Sequence, residues 1–432
     1  MNFKRPNSRS SGVIRDDVAP FVLDLKQTGT DSRSSQTLRM ANNMNEGVAP
    51  LIAVAEGAGY AVDIRVGLNI FSLIFDTGSS DIWIASEDFE CYDYYGYNLP
   101  EEDCQFGPLF NGSFTQGAVP NQNFNITYGD GEFVVGDMGY EEMCLAGVEV
   151  CKQQFALARQ AYWEGDNVTS GILGFAYSSL TSAYEGTDPT KNEFGVNSVY
   201  YPTFMDNALA EGALVSPVFS HALNRNSRSQ KSGGILALGG VPDIEIDPLS
   251  QISVPLQIAD YNPTDNIDVT TYTYYSIVPD GFTLKAENGT LRHFPYPPIT
   301  PDPASLNATV SPSWPAIVDS GTTLAYLPID VASAVNKAFD PPAEFYSGIY
   351  EADCDATPPD FAVRIGGRDF WISKEEMLLT GEAWVDPSSG NCVTGIQWLG
   401  DLNVLGGTLL KNVLAVYDLG ASEMRFLERM KY

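Results

Sequence analysis

Positive charge is scarce in this sequence, which has 24 lysines and arginines against 55 aspartates and glutamates among its 432 residues. The formal net charge of −31 repels nucleic acids and anionic membranes, and we therefore expect neither as a partner. Histidine is also rare, with only His221 and His293, and the six cysteines show no C-x-x-C spacing. With so few candidate ligands, we expect neither a metal site nor a cofactor.

Long apolar runs are absent as well, since no stretch reaches the roughly 18 apolar residues that a membrane span needs. Residues 1–17 are polar throughout and form no signal peptide, and we expect one to have been removed. The sequence is instead rich in turn and strand formers, with 39 glycines, 27 prolines and many Val/Thr/Tyr runs. Its length exceeds what one compact core usually holds, so we predict a mainly β protein with two lobes.

Two short phrases repeat each other, LIFDTGSS at residues 73–80 and AIVDSGTT at residues 316–323. In each, an apolar strand leads into an Asp, a small hydroxyl residue and a Gly, which places a carboxylate on a tight turn at the end of a buried strand. Asp76 and Asp319 are far apart in the chain, so each belongs to its own half. If the two turns meet face to face, their carboxylates can share one proton. That is the chemistry of an acid-driven peptide hydrolase.

A second repeated passage, GILGF at 171–175 and NVLGG at 403–407, follows each Asp phrase. The repetition predicts two β lobes related by a pseudo-two-fold axis. We place the N-terminal lobe at residues 48–245 and the C-terminal lobe at residues 246–432. Residues 1–47 form a mildly basic leader, which is either a removable prosegment or simply the first strand of the mature protein.

Cysteines and sequons favour the secretory route. Sequence proximity favours one of the fifteen possible pairings, which consists of the bonds Cys91–Cys104, Cys144–Cys151 and Cys354–Cys392. The candidate glycosylation sites are Asn111, Asn125, Asn167, Asn288 and Asn307. We expect a secreted protein, with an acidic vacuole as the alternative destination.

Helices are predicted at two places. One covers residues 197–212 with Asn197 or Ser198 as its cap, and the other covers residues 328–340 and is opened by Pro328. Residues 86–104 are predicted to be an acidic, aromatic insertion pinned by its own disulfide.

The motifs FDTGSSDIW, ITYGDGE (residues 126–132), the Ile-Leu-Gly passage and VDSGTT make the chain resemble a pepsin-family aspartic endopeptidase of the fungal type. The resemblance extends from about Tyr60 to the C-terminus. It implies the bilobal pepsin-like fold, with the active-site cleft between the lobes and Asp76 and Asp319 as the catalytic pair. It also implies extended peptides or unfolded proteins as substrates, inhibition by pepstatin-type compounds, and a monomer.

The same resemblance implies supporting roles within the two Asp turns. The expected supports are hydroxyls that bridge the turns (Thr77, Ser320), hydroxyls that donate to the outer carboxylate oxygens (Ser79, Thr322), and glycines that leave room for the carboxylates (Gly78, Gly321).

A mobile flap over the substrate is implied by the passage around Tyr128 and Gly129, with the Trp83 indole hydrogen-bonded to the Tyr128 hydroxyl. Asp130 is either an ordinary turn residue or an acid that helps the site accept a basic residue next to the cleaved bond. The apolar neighbours of the two motifs, Ile74 and Ile172, are either pocket residues or ordinary core.

One position departs from the family pattern, because Gly407 stands where typical members continue with Asp. Specificity or the local pKa of the site is therefore expected to differ. The alternative function is a pepsin-like binding or inhibitor protein without turnover, although none of the expected active-site residues is lost. A glycosidase with two more widely separated carboxylates ranks last, because it predicts no matched Asp turns. Two histidines without a motif argue against serine, cysteine and zinc peptidases.

Overall fold

The computed structural model describes residues 48–54, 58–225, 232–259, 261, 270–286, 288–296 and 315–430. The leader of residues 1–47 and the sequon at Asn307 lie outside these described residues, so the predictions about them stay predictions. Of the other sequons, Asn111, Asn167 and Asn288 are exposed and Asn125 is half-buried.

Strands dominate both halves of the described chain. The first half contains β1 (Val48–Val54), β2 (Gly59–Val66), β3 (Asn69–Asp76), β4 (Ile82–Tyr92), β5 (Asn98–Leu99), β6 (Ala118–Thr127), β7 (Phe133–Leu145), β8 (Val148–Tyr162), β9 (Gly171–Gly174), β10 (Ala183–Glu185), β11 (Ser198–Val199), β12 (Val218–Leu223) and β13 (Gly234–Leu238). The second half contains β14 (Ile252–Pro255), β15 (Ser276–Ile277), β16 (Gly281–Lys285), β17 (Leu291–Pro295), β18 (Ala316–Val318), β19 (Ala325–Tyr326), β20 (Glu344–Tyr346), β21 (Ile349–Ala352), β22 (Asp360–Ile365), β23 (Arg368–Ile372), β24 (Leu378–Leu379), β25 (Cys392–Thr394), β26 (Ile396–Gln397), β27 (Val404–Leu405), β28 (Val413–Asp418) and β29 (Glu423–Glu428).

Helices are few and short among the described residues. The α-helices are α1 (Phe204–Ala210), α2 (Ile329–Lys337), α3 (Lys374–Met377) and α4 (Gly407–Leu410). Single 3₁₀ turns occur at Glu101–Cys104, Ser178–Leu180, Pro189–Lys191, Pro248–Ser250 and Glu382–Trp384. The prediction of a mainly β protein is confirmed.

Within the described residues, sixteen strands form one sheet, whose main path runs β11-β10-β6-β7-β8-β4-β9-β3-β2-β1-β13-β12-β28-β29-β14, with β5 paired to β4. The path passes from the first half to the second where β12 pairs with β28. Three smaller sheets belong to the second half, in the orders β15-β18-β27-β19-β26, β17-β16-β22-β23 and β20-β21-β25-β24. The fold is therefore bilobal, and strands from both halves form the shared part of the large sheet.

The predicted internal repeat is present in the strand pairing. In the first half β3 runs parallel to β9, with Asp76 opposite Gly174, and β9 then pairs antiparallel with β4. In the second half β18 runs parallel to β27, with Ile317 opposite Val404, and β27 pairs antiparallel with β19. Each Leu-Gly passage thus lies beside its own Asp strand and holds it in place.

Alternation along β3 explains why Asp76 reaches the cleft. Phe71, Leu73 and Phe75 are buried at every second position, so they anchor one face of the strand in the core. The strand ends at Asp76, where the chain leaves the sheet on the Asp-Thr-Gly turn.

The predicted helix at residues 197–212 is largely wrong. Its first residues form β11 instead, and α1 begins only after Thr203, whose side chain makes a capping box with Asp206. Pro202 explains the difference, because proline disfavours helical backbone in the residue before it and has no N–H to donate. The second prediction is correct in place, since α2 begins directly after Pro328 and ends at Lys337.

Two of the three predicted disulfides, Cys91–Cys104 and Cys354–Cys392, are formed. The predicted Cys144–Cys151 bond is wrong for this structure, in which both residues are free thiols. The register of β7 and β8 places Cys144 opposite Glu149, so Cys151 lies diagonally across the hairpin. Diagonal Cα atoms are roughly 7–8 Å apart, beyond the usual reach of a disulfide.

Candidate active site

The two Asp turns meet in the interior and are joined by four crossed hydrogen bonds. The Thr77 hydroxyl donates to the Val318 carbonyl at 3.0 Å and accepts the Ser320 N–H at 2.9 Å. In return, the Ser320 hydroxyl donates to the Phe75 carbonyl at 2.9 Å and accepts the Thr77 N–H at 3.1 Å. Each hydroxyl therefore satisfies one donor and one acceptor of the opposite turn, which fixes the turns relative to each other.

Matched hydrogen bonds hold the two carboxylates. Asp76 accepts the Gly78 N–H at 2.7 Å and the Ser79 hydroxyl. Asp319 accepts the Gly321 N–H at 2.8 Å and the Thr322 hydroxyl at 2.6 Å.

Close approach explains why both turns contain glycine. A Cβ on Gly78 would lie 2.6 Å from the Asp319 carboxylate, and a Cβ on Gly321 would lie 2.4 Å from Asp76 Oδ1. Real Cβ atoms do not tolerate such distances, so any other residue would force the turns apart. Each carboxylate thus lies against the opposite turn, and the two acids face one another.

Electrostatics favour a shared proton at this place. Asp76 is only 6% exposed. Burial, followed by the charge of Asp319, raises the pKa of Asp76 well above its ordinary value, while hydrogen bonds from Ser79 and Gly78 act in the opposite direction. One carboxyl group of the pair can therefore stay protonated while the other is ionised.

A buried His–Tyr pair lies beneath the dyad, and sequence analysis missed it. His221 Nε2 lies 3.0 Å from the Tyr417 hydroxyl, and both side chains are fully buried. Burial lowers the pKa of His221 to about 3, so the imidazole is neutral over most of the acidic range. No local pattern marks either residue, because β12 and β28 bring them together across the halves.

The β6–β7 hairpin carries the predicted flap residues. The Tyr128 N–H donates to the Glu132 carbonyl at 2.8 Å, and the Trp83 indole donates to the Tyr128 hydroxyl at 2.7 Å. Gly129 and Asp130 at the hairpin tip are exposed, and the Asp130 carboxylate accepts the Glu132 N–H at 3.0 Å. That last bond is the ordinary turn role considered for Asp130.

Trp163, a residue that sequence analysis did not single out, packs beside this hairpin. Its ring centroid lies 5.0 Å from Trp83 and 5.8 Å from Tyr128, edge to face in both cases. Ile172 is buried in the same cluster and Ile74 packs against it. The two isoleucines are therefore part of the core and also form the apolar surface next to Tyr128, so the two interpretations do not exclude each other.

Gly407 acts on the backbone of the second turn. It is buried at the start of α4, and its N–H donates to the Thr322 carbonyl at 2.8 Å. A Cβ here would lie 3.0 Å from the Thr323 carbonyl oxygen, so a larger residue would require the backbone at Thr323 to shift slightly.

The described residues form neither a metal-binding cluster nor a membrane-spanning helix. Over the part of the chain that the structure describes, no group of three or more His, Cys, Asp or Glu side chains could hold a metal ion. Within the same ranges, every helix is too short or too polar to cross a bilayer.

Comparisons with known proteins agree with this geometry. The family model for eukaryotic aspartyl proteases matches residues 59–257 and 299–428. A probable aspartic-type endopeptidase of Aspergillus fumigatus is 36% identical over 420 residues, which is 95% of this chain and 87% of the relative. Rhizopuspepsin-4 from Rhizopus niveus is 26% identical over 88% of this chain and 79% of its own length, and gastricsin from Homo sapiens is 26% identical over 85% and 81%.

The crystal structure of aspartic proteinase from Irpex lacteus shares the fold, with a TM-score of 0.61 at 17% sequence identity over 89% of this chain and 97% of that one. Together with the family model and the Aspergillus relative, the match leads to one conclusion: the chain belongs to the eukaryotic aspartyl protease family.

Proposed function

We propose that this protein is an aspartic endopeptidase that hydrolyses extended polypeptides in acid, using a water molecule activated between Asp76 and Asp319. The observation that carries the proposal is the pair of matched turns, each with its carboxylate against the glycine of the other. Family membership supports the class of reaction, and the crossed hydrogen bonds support the proton-sharing geometry.

In the proposed reaction the ionised carboxylate removes a proton from the bound water as the water oxygen attacks the peptide carbonyl carbon. The protonated carboxyl group gives its proton to the carbonyl oxygen, which forms a tetrahedral diol. Collapse of the diol breaks the C–N bond: the nitrogen takes a proton from the protonated carboxyl group, and a diol hydroxyl gives a proton to the ionised one. A carboxylic acid and an amine leave, and the dyad again holds one proton. The proton belongs to the pair, so neither Asp is assigned as the acid.

The neighbouring residues have supporting roles in this proposal. Thr77 and Ser320 keep the carboxylates at a fixed separation, while Ser79 and Thr322 hold the outer oxygens so that the inner ones face the water. Electrostatic preorganisation of this kind requires no rearrangement as the reaction proceeds.

Tyr128 is proposed to close over the substrate as part of a flap, oriented by its hydrogen bond from Trp83. Asp130 at the hairpin tip is proposed to favour a basic side chain next to the cleaved bond. Replacement by Ala tests the second idea. The ratio of cleavage after Lys or Arg to cleavage after Leu or Phe should fall, and an unchanged ratio would refute it.

The remaining assignments are also proposals. Residues 1–47 are a removable leader, and the lobes divide near residue 245, which is supported by the three small sheets beginning only after residue 275. The protein acts as a monomer that is secreted or delivered to an acidic vacuole, with the sequons of the described surface as glycosylation sites. Pepstatin-type inhibitors bind across the dyad.

The first experiment measures cleavage of a denatured protein across pH, with and without pepstatin, on the acid-incubated full chain. We expect activity that rises toward about pH 3–4, is abolished by pepstatin, and falls by about 10³-fold or more in Asp76→Asn and Asp319→Asn. A folded chain that binds denatured protein yet cleaves nothing, before and after removal of residues 1–47, would replace the proposal with the binding-protein alternative.

A further inference from the structure

The acidic, aromatic insertion forms an ordered loop on the surface of the first lobe. We call residues 92–103 the tyrosine loop. The Cys91–Cys104 disulfide closes it, and β5 pairs back onto Cys91 and Tyr92 at the end of β4. Inside the loop, the Asp93 carboxylate accepts the N–H groups of Tyr95 and Tyr97 at 2.9 and 2.8 Å. These bonds hold the aromatic side chains on a defined backbone.

Three tyrosines of this loop present their rings to solvent. Tyr94, Tyr95 and Tyr97 are 66%, 81% and 70% exposed. The Tyr94 ring lies edge to face with Tyr95, at a centroid distance of 5.4 Å, and Tyr97 lies on the same loop. Exposed aromatic patches on soluble proteins mark interaction surfaces, because tyrosine offers a large contact area at low entropic cost.

The patch adjoins the tip of the β6–β7 hairpin. A Cβ on Gly131 would lie 3.3 Å from the Tyr94 ring, and Tyr94 also contacts Tyr162 at a centroid distance of 6.0 Å. Tyr162 in turn lies 6.5 Å from Phe133, the first residue of β7. A polypeptide emerging from beneath the hairpin therefore passes close to the tyrosine loop.

The charge around the patch is mostly negative, although Arg159 on β8 forms ion pairs with Asp88 and Asp137 at the base of the insertion. Residues 86–104 contain seven acidic residues and no basic one, and residues 66–151 contain no lysine or arginine at all. Glu101 and Glu102 are exposed at the end of the loop, and Asp130 lies at the hairpin tip. This surface attracts cations, and the faces of tyrosine rings add a cation–π contribution.

We propose that the tyrosine loop is a secondary substrate-binding surface, which takes a lysine- or arginine-bearing stretch of the polypeptide outside the cleft. The proposal rests on the proposed peptidase function for its consequence. Binding at a second point makes capture of the substrate partly intramolecular, so it lowers KM for long basic substrates and leaves kcat nearly unchanged. Short substrates that fill only the cleft gain nothing.

The experiment compares three fluorogenic substrates with one cleavable core at pH 5: the core alone, the core with an eight-residue Lys/Arg/Gly extension, and the core with a Gln/Gly extension. Each extension is made at either end, since eight residues reach about 26–29 Å. At one of the two ends, we expect the substrate with the Lys/Arg/Gly extension to have a kcat/KM about 5–30-fold higher than the substrate with the Gln/Gly extension. This factor corresponds to two exposed cation–π contacts.

The test variant is Tyr95→Ser/Tyr97→Ser, which keeps Tyr94, the ring that lies against the hairpin. It should abolish the preference for the basic extension and leave the core substrate unchanged, which also shows that the protein is folded. Tyr200→Ser/Tyr346→Ser, at two similarly exposed positions elsewhere, should retain the preference. Equal rates on the basic and neutral forms, or a preference that survives in the test variant, would overturn the proposal.

Binding without turnover separates this proposal from the peptidase function. In an Asp76→Asn background, a labelled basic peptide that lacks the core should bind at low salt, and Tyr95→Ser/Tyr97→Ser or Glu101→Gln/Glu102→Gln should weaken it. Absence of binding, or equal binding to all variants, would reject the surface even if peptidase activity is found. Preferential displacement by a peptide of residues 1–47, or self-association through the patch in sedimentation, would assign it to the leader or to a second copy instead.

Discussion

Five residues after Asp76 the first half has Asp81, and five residues after Asp319 the second half has Leu324. Asp81 is fully buried and accepts the Tyr201 hydroxyl and the Ser182 N–H. Leu324 is buried among other apolar side chains. The turns themselves make the same hydrogen bonds, so the two halves are alike where the carboxylates must meet and differ immediately behind that point.

The asymmetry continues farther out. Trp83 and Tyr326 occupy equivalent positions seven residues after the two Asp residues, but Trp83 hydrogen-bonds a hairpin tyrosine of its own lobe. The second half instead contains a buried ion pair between Lys411 and Glu376, at 2.8 Å. Proton sharing requires symmetry only at the two carboxylates. The residues around them can therefore differ, with the Tyr128 hairpin in the first half and a buried ion pair in the second.

The largest effect is expected from the support in the second half. Both partners of the Lys411–Glu376 pair are 4% exposed, so Lys411→Met leaves an uncompensated buried carboxylate. We expect a loss of about 3–5 kcal/mol in the free energy of unfolding, measured by urea denaturation at pH 6. Lys411→Met/Glu376→Met should recover much of the loss, and Lys191→Met, in an exposed pair with Asp188, should change little. A loss below 1 kcal/mol for the buried single variant would contradict this prediction.

The crossed hydrogen bonds provide the next comparison. Thr77→Val and Ser320→Ala each leave a buried N–H and a buried carbonyl without their partners. We expect each to reduce the free energy of unfolding by about 2–4 kcal/mol. The two losses should be similar, because each hydroxyl satisfies one donor and one acceptor of the opposite turn. Matched urea titrations of the two variants test this, and a loss confined to one variant would show that the two turns do not support each other equally.

Asp81 predicts a pH dependence to which Leu324, at the equivalent position of the second half, cannot contribute. Burial raises the pKa of Asp81 from 3.8 to about 6, so the folded state holds this proton more tightly than the unfolded chain does. The contribution of this proton to the free energy of unfolding is therefore fully present below about pH 4. It is lost as the pH rises through 6, and the loss is about 3 kcal/mol at most. Asp81→Asn should therefore flatten the fall in stability between pH 4 and 7.

The control for this titration is Asp188→Asn. Hydrogen bonds from Thr190 lower the pKa of Asp188 to about 2, so its titration lies below the tested window. The control should leave the slope between pH 4 and 7 unchanged. An equal slope in wild type and Asp81→Asn would mean that other buried acids set the pH dependence.

The smallest expected effect is on catalysis, and it comes from Tyr128 on the β6–β7 hairpin, the proposed flap. Tyr128→Phe removes the acceptor of the Trp83 indole N–H while keeping the ring, and we expect about a tenfold fall in kcat/KM for a short peptide. Tyr326→Phe, the matched change on the opposite lobe, should stay within twofold. Steady-state kinetics on both variants decide the point, and equal losses would show that the two lobes cover the substrate symmetrically.

Local chemistry explains which features could be predicted. The Asp phrases combine apolar strands with small turn residues, and both properties act over a few neighbours. Pro328 likewise opens α2 by local backbone geometry. The predicted helix at 197–212 begins too early, because Pro202 disfavours helical backbone before it and the capping box at Thr203 sets the true start. Proximity in the sequence predicts a Cys144–Cys151 disulfide, but strand register decides which side chains lie opposite each other, and it places Glu149 opposite Cys144.

The sequence by itself determined the two carboxylate turns, their glycine and hydroxyl supports, and the β-rich class, because each follows from interactions between near neighbours in the chain. Tertiary structure alone decided that His221 and Tyr417 lie under the dyad, that Trp163 packs beside Tyr128, and that the tyrosine loop touches the hairpin tip. Those contacts join strands distant in sequence, and their register is set by packing of the whole sheet and not by any local preference.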